Sequence, residues 1–132
     1  MTGPELSRGQ SGIGQVAERF GLDADTIRFY ERRGVLPPPD RDASGRRRYD
    51  EDAVHLIEVL LHLKGTGMAL SRIAEFTSCV ARDPDGVPER LALLEQHRCE
   101  VVARVKEWTA SLEVIDQKIV DYRARVTTSP PP

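Results

Sequence analysis

Apolar positions recur at helical spacing through most of the chain, and the places where that rhythm breaks mark out its elements. Ile13, Val16, Ala17 and Phe20 stand at i, i+3, i+4 and i+7, one face of a helix, and Gly21 supplies a left-handed stop. This predicts a helix over about 13–20. Asp23 stands at the N-cap position of a second helix, about 24–33, with Asp25 in the first turn where the helix dipole favours an acid. Pro37-Pro38-Pro39 then removes backbone donors and forces an extended corner. Asp50 caps a third helix whose Val54, Ile57, Leu60 and Leu61 point inward, and which ends at Gly65-Thr66-Gly67. A fourth helix turns Leu70, Ile73, Ala74 and Thr77 inward. Its cap position holds Ala69, which lacks a side-chain acceptor and forgoes about 1 kcal/mol.

The strongest periodicity is in the tail. Val101, Val105, Trp108, Leu112, Ile115, Ile119, Tyr122 and Val126 alternate steps of four and three, and Leu91 and Leu94 continue the seam backward across an interruption at Arg98. A helix over about 89–125 would run roughly 55 Å at about 1.5 Å per residue, too long to be covered by its own small head. It requires a partner helix. Self-association satisfies the seam more economically than folding back onto the third and fourth helices. The heptads alone leave the orientation open.

Between Gly21 and the prolines, two short helices joined by a tight glycine-bearing turn form a helix-turn-helix, whose second helix enters the major groove. Ile27 points to the core. Asp25, Arg28, Phe29 and Arg32 share the opposite face, which suits phosphate and base-edge contact. The plainer reading is a solvated face on which Glu31 balances the arginines. The next stretch favours DNA. Ala43-Ser44-Gly45 is a turn between Asp40-Arg41-Asp42 and Arg46-Arg47-Arg48-Tyr49, so a short hairpin, or wing, follows the helix-turn-helix on the same side.

Composition modifies this picture at one point. The 132 residues, 39% hydrophobic and 30% charged with 5% aromatic, fit a soluble chain with one small core. A net charge of −2 would hide nucleic-acid binding, but residues 41–49 set Arg41, Arg46, Arg47 and Arg48 against Asp42 alone. No stretch has the roughly 20 apolar residues of a membrane span, and no secretory signal opens the chain, so a cytoplasmic protein with no membrane partner is expected. The expected fold class is mostly α: a winged helix-turn-helix head, a helix pair, and a long C-terminal coiled-coil dimerisation helix. Its divisions are a flexible arm at 1–11, the head with its helix pair at 12–80, a linker at 81–88, the dimerisation helix at 89–126 and a disordered tail at 127–132.

The run IGQVAERFGLDADTIRFYERRGVLPPPDRDASGRRRYDEDAV resembles the N-terminal half of MerR-type transcription regulators, with their pattern IGEVA…G…TIRYYE..GLL.P.R...GYR.Y. The resemblance is ungapped from Ile13 to about Ala53 and continues in weaker form through the second helix pair and the terminal helix. It implies DNA contact by Thr26, Arg28, Phe29 and Tyr30 of the recognition helix and by Arg47 and Tyr49 of the wing; Arg46 departs from the pattern, standing where the family has tyrosine. It also implies an antiparallel coiled-coil homodimer on double-stranded promoter DNA, bending and undertwisting the promoter and so acting on RNA polymerase indirectly. The tail resembles that of short members without an appended ligand-binding domain. Metal-sensing relatives carry a cysteine pair after the dimerisation helix, and this chain ends in Ser129 and three prolines. Where some thiol- and aldehyde-responsive members carry a reactive cysteine in the third helix, it has His62.

Other chemistry is sparse. Cys79 and Cys99 form no CxxC, and packing is the default role for each; the sharper expectation is redox or electrophile sensing, above all at Cys79, at the joint of head and tail. His55, Glu58 and His62 share a helix without the HExxH spacing, so no metal or other cofactor is expected. There is no phosphate loop and no Cys/His nucleophile pair, and His97 is remote from the other two histidines, so an enzyme is not expected. The competing functional class is a protein-interaction adaptor built on the coiled coil, without promoter distortion.

Overall fold

A computed structural model describes residues 11–128. It contains five helices and one hairpin: α1 (Ile13–Phe20), α2 (Ala24–Arg32), β1 (Asp40–Arg41), β2 (Arg47–Arg48), α3 (Glu51–Gly65), α4 (Leu70–Ala81) and α5 (Val87–Thr128). They divide into two compact units, one ending at Leu93 and one beginning at Leu94. Most of the arm expected at 1–11, and residues 129–132 of the expected tail, lie outside the described residues. Ser11 is described and is not loose: it exchanges both backbone hydrogen bonds with Tyr49, at 2.7 and 2.8 Å. Thr127 and Thr128 continue the last helix.

In the first unit, α1 and α2 pack by Val16, Ala17, Ile27 and Tyr30 against a core completed by Val35, Leu36 and Tyr49 and by Val54, Ile57 and Leu60 of α3. Gly21 adopts φ 66°, and Leu22 N–H reaches back to the Ala17 carbonyl at 2.8 Å, so the turn between α1 and α2 closes without leaving that carbonyl unpaired. Asp23 occupies the N-cap of α2 but its side chain caps nothing, whereas Asp50 accepts from Ala53 N at 2.7 Å and closes the start of α3. On α3 the buried fourth position is Leu63, with Leu61 only half-buried. On α4, Ile73, Phe76, Thr77 and Cys79 are buried, and Thr77 Oγ1 donates to the Val35 carbonyl at 2.6 Å, tying α4 to the chain just beyond α2.

The stretch expected as a linker at 81–88 makes a tight corner in which Gly86 is buried and the other residues are exposed. It comprises the end of α4, the turn 82–86 and the first residues of α5, with Pro88 in the first turn, where a missing N–H costs a helix nothing. Gly86 is buried so closely that a Cβ there would stand 1.9 Å from the Cys79 carbonyl oxygen. Arg82 pairs with Glu89 at 3.0 Å, and Arg90 pairs with Asp83.

The second unit is the remainder of α5. Val105, Trp108, Leu112, Ile115, Ile119, Tyr122 and Val126 are all exposed along it, Trp108 the most of the large seam side chains before Val126, at 75%. Leu94 is 37% exposed and Val101 half-buried. Among the described residues no helix is long and apolar enough to cross a membrane.

Candidate nucleic-acid interface

The wing is built by one aspartate. β1 pairs antiparallel with β2 in the register Asp40 with Arg48 and Arg41 with Arg47. Between them Asp42 Oδ1 accepts three hydrogen bonds, from Ser44 N (2.9 Å), Ser44 Oγ (2.8 Å) and Arg46 N (2.9 Å), and its backbone N–H donates to the Arg46 carbonyl at 2.9 Å. Gly45, at φ 82°, supplies the left-handed residue that lets a three-residue loop rejoin a right-twisted hairpin. The Ser44 hydroxyl and the Arg46 and Ser44 amides stabilise the ionised form, with Arg48 beside it, and hold the Asp42 carboxyl down at about 2. The wing tip is therefore a closed, charged latch.

Glu31 joins this wing to the recognition helix. It lies on the last turn of α2 with its side chain 10% exposed; Oε1 accepts from Arg47 Nε at 3.0 Å and Oε2 accepts from the Tyr49 hydroxyl at 2.8 Å. One carboxylate thus holds Arg47 of β2 and Tyr49 just beyond it, and a charge-assisted bond of this kind is about twice as strong as a neutral one. Burial first, and the hydrogen bond to Glu31 second, push the Tyr49 phenol far above its ordinary range, so it remains a donor at every physiological pH.

This geometry redistributes the residues expected to touch DNA. Tyr30 and Tyr49 are core residues, 7% and 2% exposed: Tyr30 follows Ile27 by three on the inward face of α2, and the Tyr49 hydroxyl donates to Glu31. Arg47 is engaged with Glu31, and Arg48 with Asp42 at 3.0 Å, so two of the four arginines of the run are paired internally. Arg41 is exposed and its guanidinium donates to the Gly45 carbonyl at 2.7 Å. Arg46, in the position of the family's tyrosine, is exposed at the tip.

On α2, Phe29 is 40% exposed and Arg32 exposed, with Thr26 half-buried beside them. Arg28 pairs with Asp25 at 2.8 Å, but Asp25 is 95% exposed, so the pair is worth less than about 1 kcal/mol and Arg28 is easily redirected to a phosphate. Arg33 lies over the Phe29 ring, 5.7 Å from its centroid. Among the described residues, Arg32, Arg33 and Arg46 have no carboxylate partner. The available cations therefore sit on the outer face of α2 and at the wing tip. The residues that sequence reasoning missed are Glu31 and Asp42, which orient that surface without belonging to it.

A family profile described as MerR HTH family regulatory protein matches residues 12–78, from the start of α1 nearly to the end of α4. The chain belongs to the MerR family. It is 34% identical over 109 residues to an uncharacterized HTH-type transcriptional regulator of Haemophilus influenzae, covering 83% of this chain and 81% of that one. It is 36% identical over 90 residues to the HTH-type transcriptional regulator AdhR of Bacillus subtilis, covering 68% and 64% of the two. Among solved structures it is similar to HiNmlR, a MerR family regulator lacking the sensor domain, bound to promoter DNA, with a TM-score of 0.81 and 31% identity over 90% of this chain and 94% of that one. A MerR family regulator from Bacillus thuringiensis superposes with a TM-score of 0.77 at 32% identity, covering 86% and 99%. Like these MerR proteins, this chain is a helix-turn-helix transcription regulator.

No group of three potential metal ligands occurs among the described residues. The two cysteines differ in access. Cys99 is exposed, whereas Cys79 is buried in the corner between α4 and α5, its thiol donating to Glu89 Oε2 at 3.3 Å and accepting from Arg82 at 3.2 Å. Hydrogen bonds from Arg82 and Cys79 lower the Glu89 carboxyl, and hydrogen bonds to Glu89 and to the Cys79 sulfur raise Arg82.

Proposed function

We propose that this MerR-family chain acts as a homodimer on pseudo-palindromic promoter DNA, each head laying the outer face of α2 in the major groove and its wing tip along the flanking backbone. Arg28, Phe29, Arg32 and Thr26 of α2 and Arg41 and Arg46 of the wing make the contacts; Arg47, Arg48, Tyr30 and Tyr49 position them. The observation that carries this reading is the likeness, over 90% of the chain, to a regulator bound to promoter DNA. The exposed seam of α5 supplies the dimer contact, antiparallel as in the family, with Leu94, Val101, Val105, Trp108, Leu112, Ile115, Ile119 and Tyr122 as its core. Two heads related by a two-fold axis then read two half-sites whose spacing mirrors that symmetry.

Bending and undertwisting a promoter whose elements are misaligned would let the dimer act on RNA polymerase without touching it, the deformation being offset by added contacts. Such work belongs in the cytoplasm. Footprinting of the bound protein across a genome tests this directly: sites centred in promoter spacers longer than usual support distortion, and sites without regard to spacer length refute it. A signal through Cys79 is a separable part of the proposal. A Cys79→Ser variant that keeps its full response to oxidants and aldehydes in a promoter-reporter assay removes that thiol from the account.

A further inference from the structure

The seam of α5 is uncovered, and its one irregular residue restricts how a second copy fits against it. In an antiparallel pair of heptad helices each core layer sets a residue of one class against a residue of the other. Leu94, Val101, Trp108, Ile115 and Tyr122 form one class, and Arg98, Val105, Leu112, Ile119 and Val126 the other. Naming one layer therefore fixes all of them. Arg98 is the informative position, because a guanidinium placed in an apolar layer needs an acceptor. Tyr122 is the only seam residue of the opposite class that carries a side-chain oxygen. Its ring is already flanked by Lys118 at 5.9 Å and Arg125 at 5.8 Å, so what it offers a third cation is its hydroxyl oxygen.

Taking the antiparallel dimer as given, we infer its register: Arg98 of each copy sits against Tyr122 of the other, with the two-fold axis beside Ala110. This rests on the dimer proposed above. The register places Trp108 against Leu112 on either side of the axis and Leu94 against Val126 at the ends, so every apolar seam residue between them is matched. Along one flank it brings Glu95 beside Arg123 of the other copy. Along the other it sets Arg104 near Lys118, an exposed like-charge contact that costs a few tenths of a kcal/mol. A slip of one heptad toward the N-terminus sets Arg98 against Ile115 and Glu95 beside Asp116. The opposite slip carries Leu94 and Arg98 past Val126, the last seam residue. A parallel pair would stack Arg98 on its own copy and set Lys118 against Arg123.

The test uses full-length protein carrying Cys79→Ser and Cys99→Ser, into which single cysteines are introduced and treated with a short bismaleimide. Ser111→Cys lies next to its own copy across the axis, and most of it should move to the covalent dimer band. Val101→Cys alone should stay uncrosslinked, because its two copies lie about 27 Å apart along the helix at about 1.5 Å per residue. Mixed with Ile119→Cys, it should link. Self-linking by Val101→Cys would overturn the antiparallel orientation, and linking of Val101→Cys to Leu112→Cys in place of Ile119→Cys would overturn the register. Sedimentation equilibrium of the cysteine-free background separates the layers of argument: a monomer there refutes the proposed dimer itself, while a dimer with the wrong crosslinks refutes only this pairing. Circular dichroism of each variant confirms that the helix is intact before its crosslinks are read.

Discussion

Replacing Glu31 by alanine removes the acceptor of the buried Tyr49 hydroxyl and the partner of Arg47 in one step. Tyr49 is 2% exposed, so its hydroxyl finds no water in exchange, and a buried polar group left unsatisfied costs about 1–3 kcal/mol. The Arg47 side chain is 22% exposed and can turn toward solvent, so loss of the ion pair adds at most about 1 kcal/mol. The sum, about 1–4 kcal/mol, lowers the midpoint of a domain of this size by roughly 4–32 °C. The assay is thermal and urea denaturation of Glu31→Ala, Tyr49→Phe and the double variant, at one fixed protein concentration because a dimer's stability depends on it. In the Tyr49→Phe background the hydroxyl is gone, and Glu31→Ala should cost only the ion-pair share, giving a coupling of about 1 kcal/mol or more. Glu31→Gln, which keeps an acceptor for Tyr49, should fall between wild type and alanine. If the two single effects add within about 0.5 kcal/mol, the carboxylate does not hold the wing in solution and the positioning role assigned to it is wrong.

Three further outcomes follow from the same geometry. Gly86→Ala should destabilise the head by about 1–3 kcal/mol or more, because a Cβ 1.9 Å from the Cys79 carbonyl forces backbone to move; unchanged melting would show that the corner is loosely packed. The folded Asp42 carboxyl ionises near pH 2, below its unfolded value of 3.8, so its latch contributes stability above about pH 4 that is lost as pH falls through about 2. The Ser44 and Arg46 amide resonances should therefore stay still through the ordinary carboxylate range, and a transition near pH 4 would mean that the latch is open. Native protein should react with a thiol reagent rapidly at Cys99 and slowly at Cys79 until unfolded; equal rates would contradict the burial of Cys79.

Helical periodicity placed α1 to α4 within a residue or two, because each carries a continuous apolar face and α1 and α3 end at glycines or glycine-threonine turns that no longer helix would include. The seam of α5 was equally plain. Its start was not, since the prolines of 81–88 read as a linker until Pro88 is seen in a first turn, the one helical place that tolerates it. The burial of Tyr30 was legible in its spacing from Ile27, but the resemblance drew attention to its ring as a contact. What the sequence could not disclose was the destination of the arginines. Arg47 meets a carboxylate sixteen residues earlier, and Tyr49 the same carboxylate eighteen residues earlier, contacts that exist only once α2 and the wing are folded together. A local charge count therefore overstated the free charge of the wing and located too little of it on α2.

The central claim, that the outer face of α2 and the wing tip form a DNA-reading surface, is tested most directly by equilibrium binding to a duplex selected from a random pool, followed by fluorescence anisotropy across a salt series. The account predicts a logarithm of affinity that falls linearly with the logarithm of salt, by about 0.9 per phosphate contacted, and a slope smaller by about 1 per head when Arg28 or Arg46 becomes alanine. Binding that is absent, or that is indifferent to salt and to both substitutions, would contradict it and leave the coiled coil as the working part of a protein-interaction adaptor.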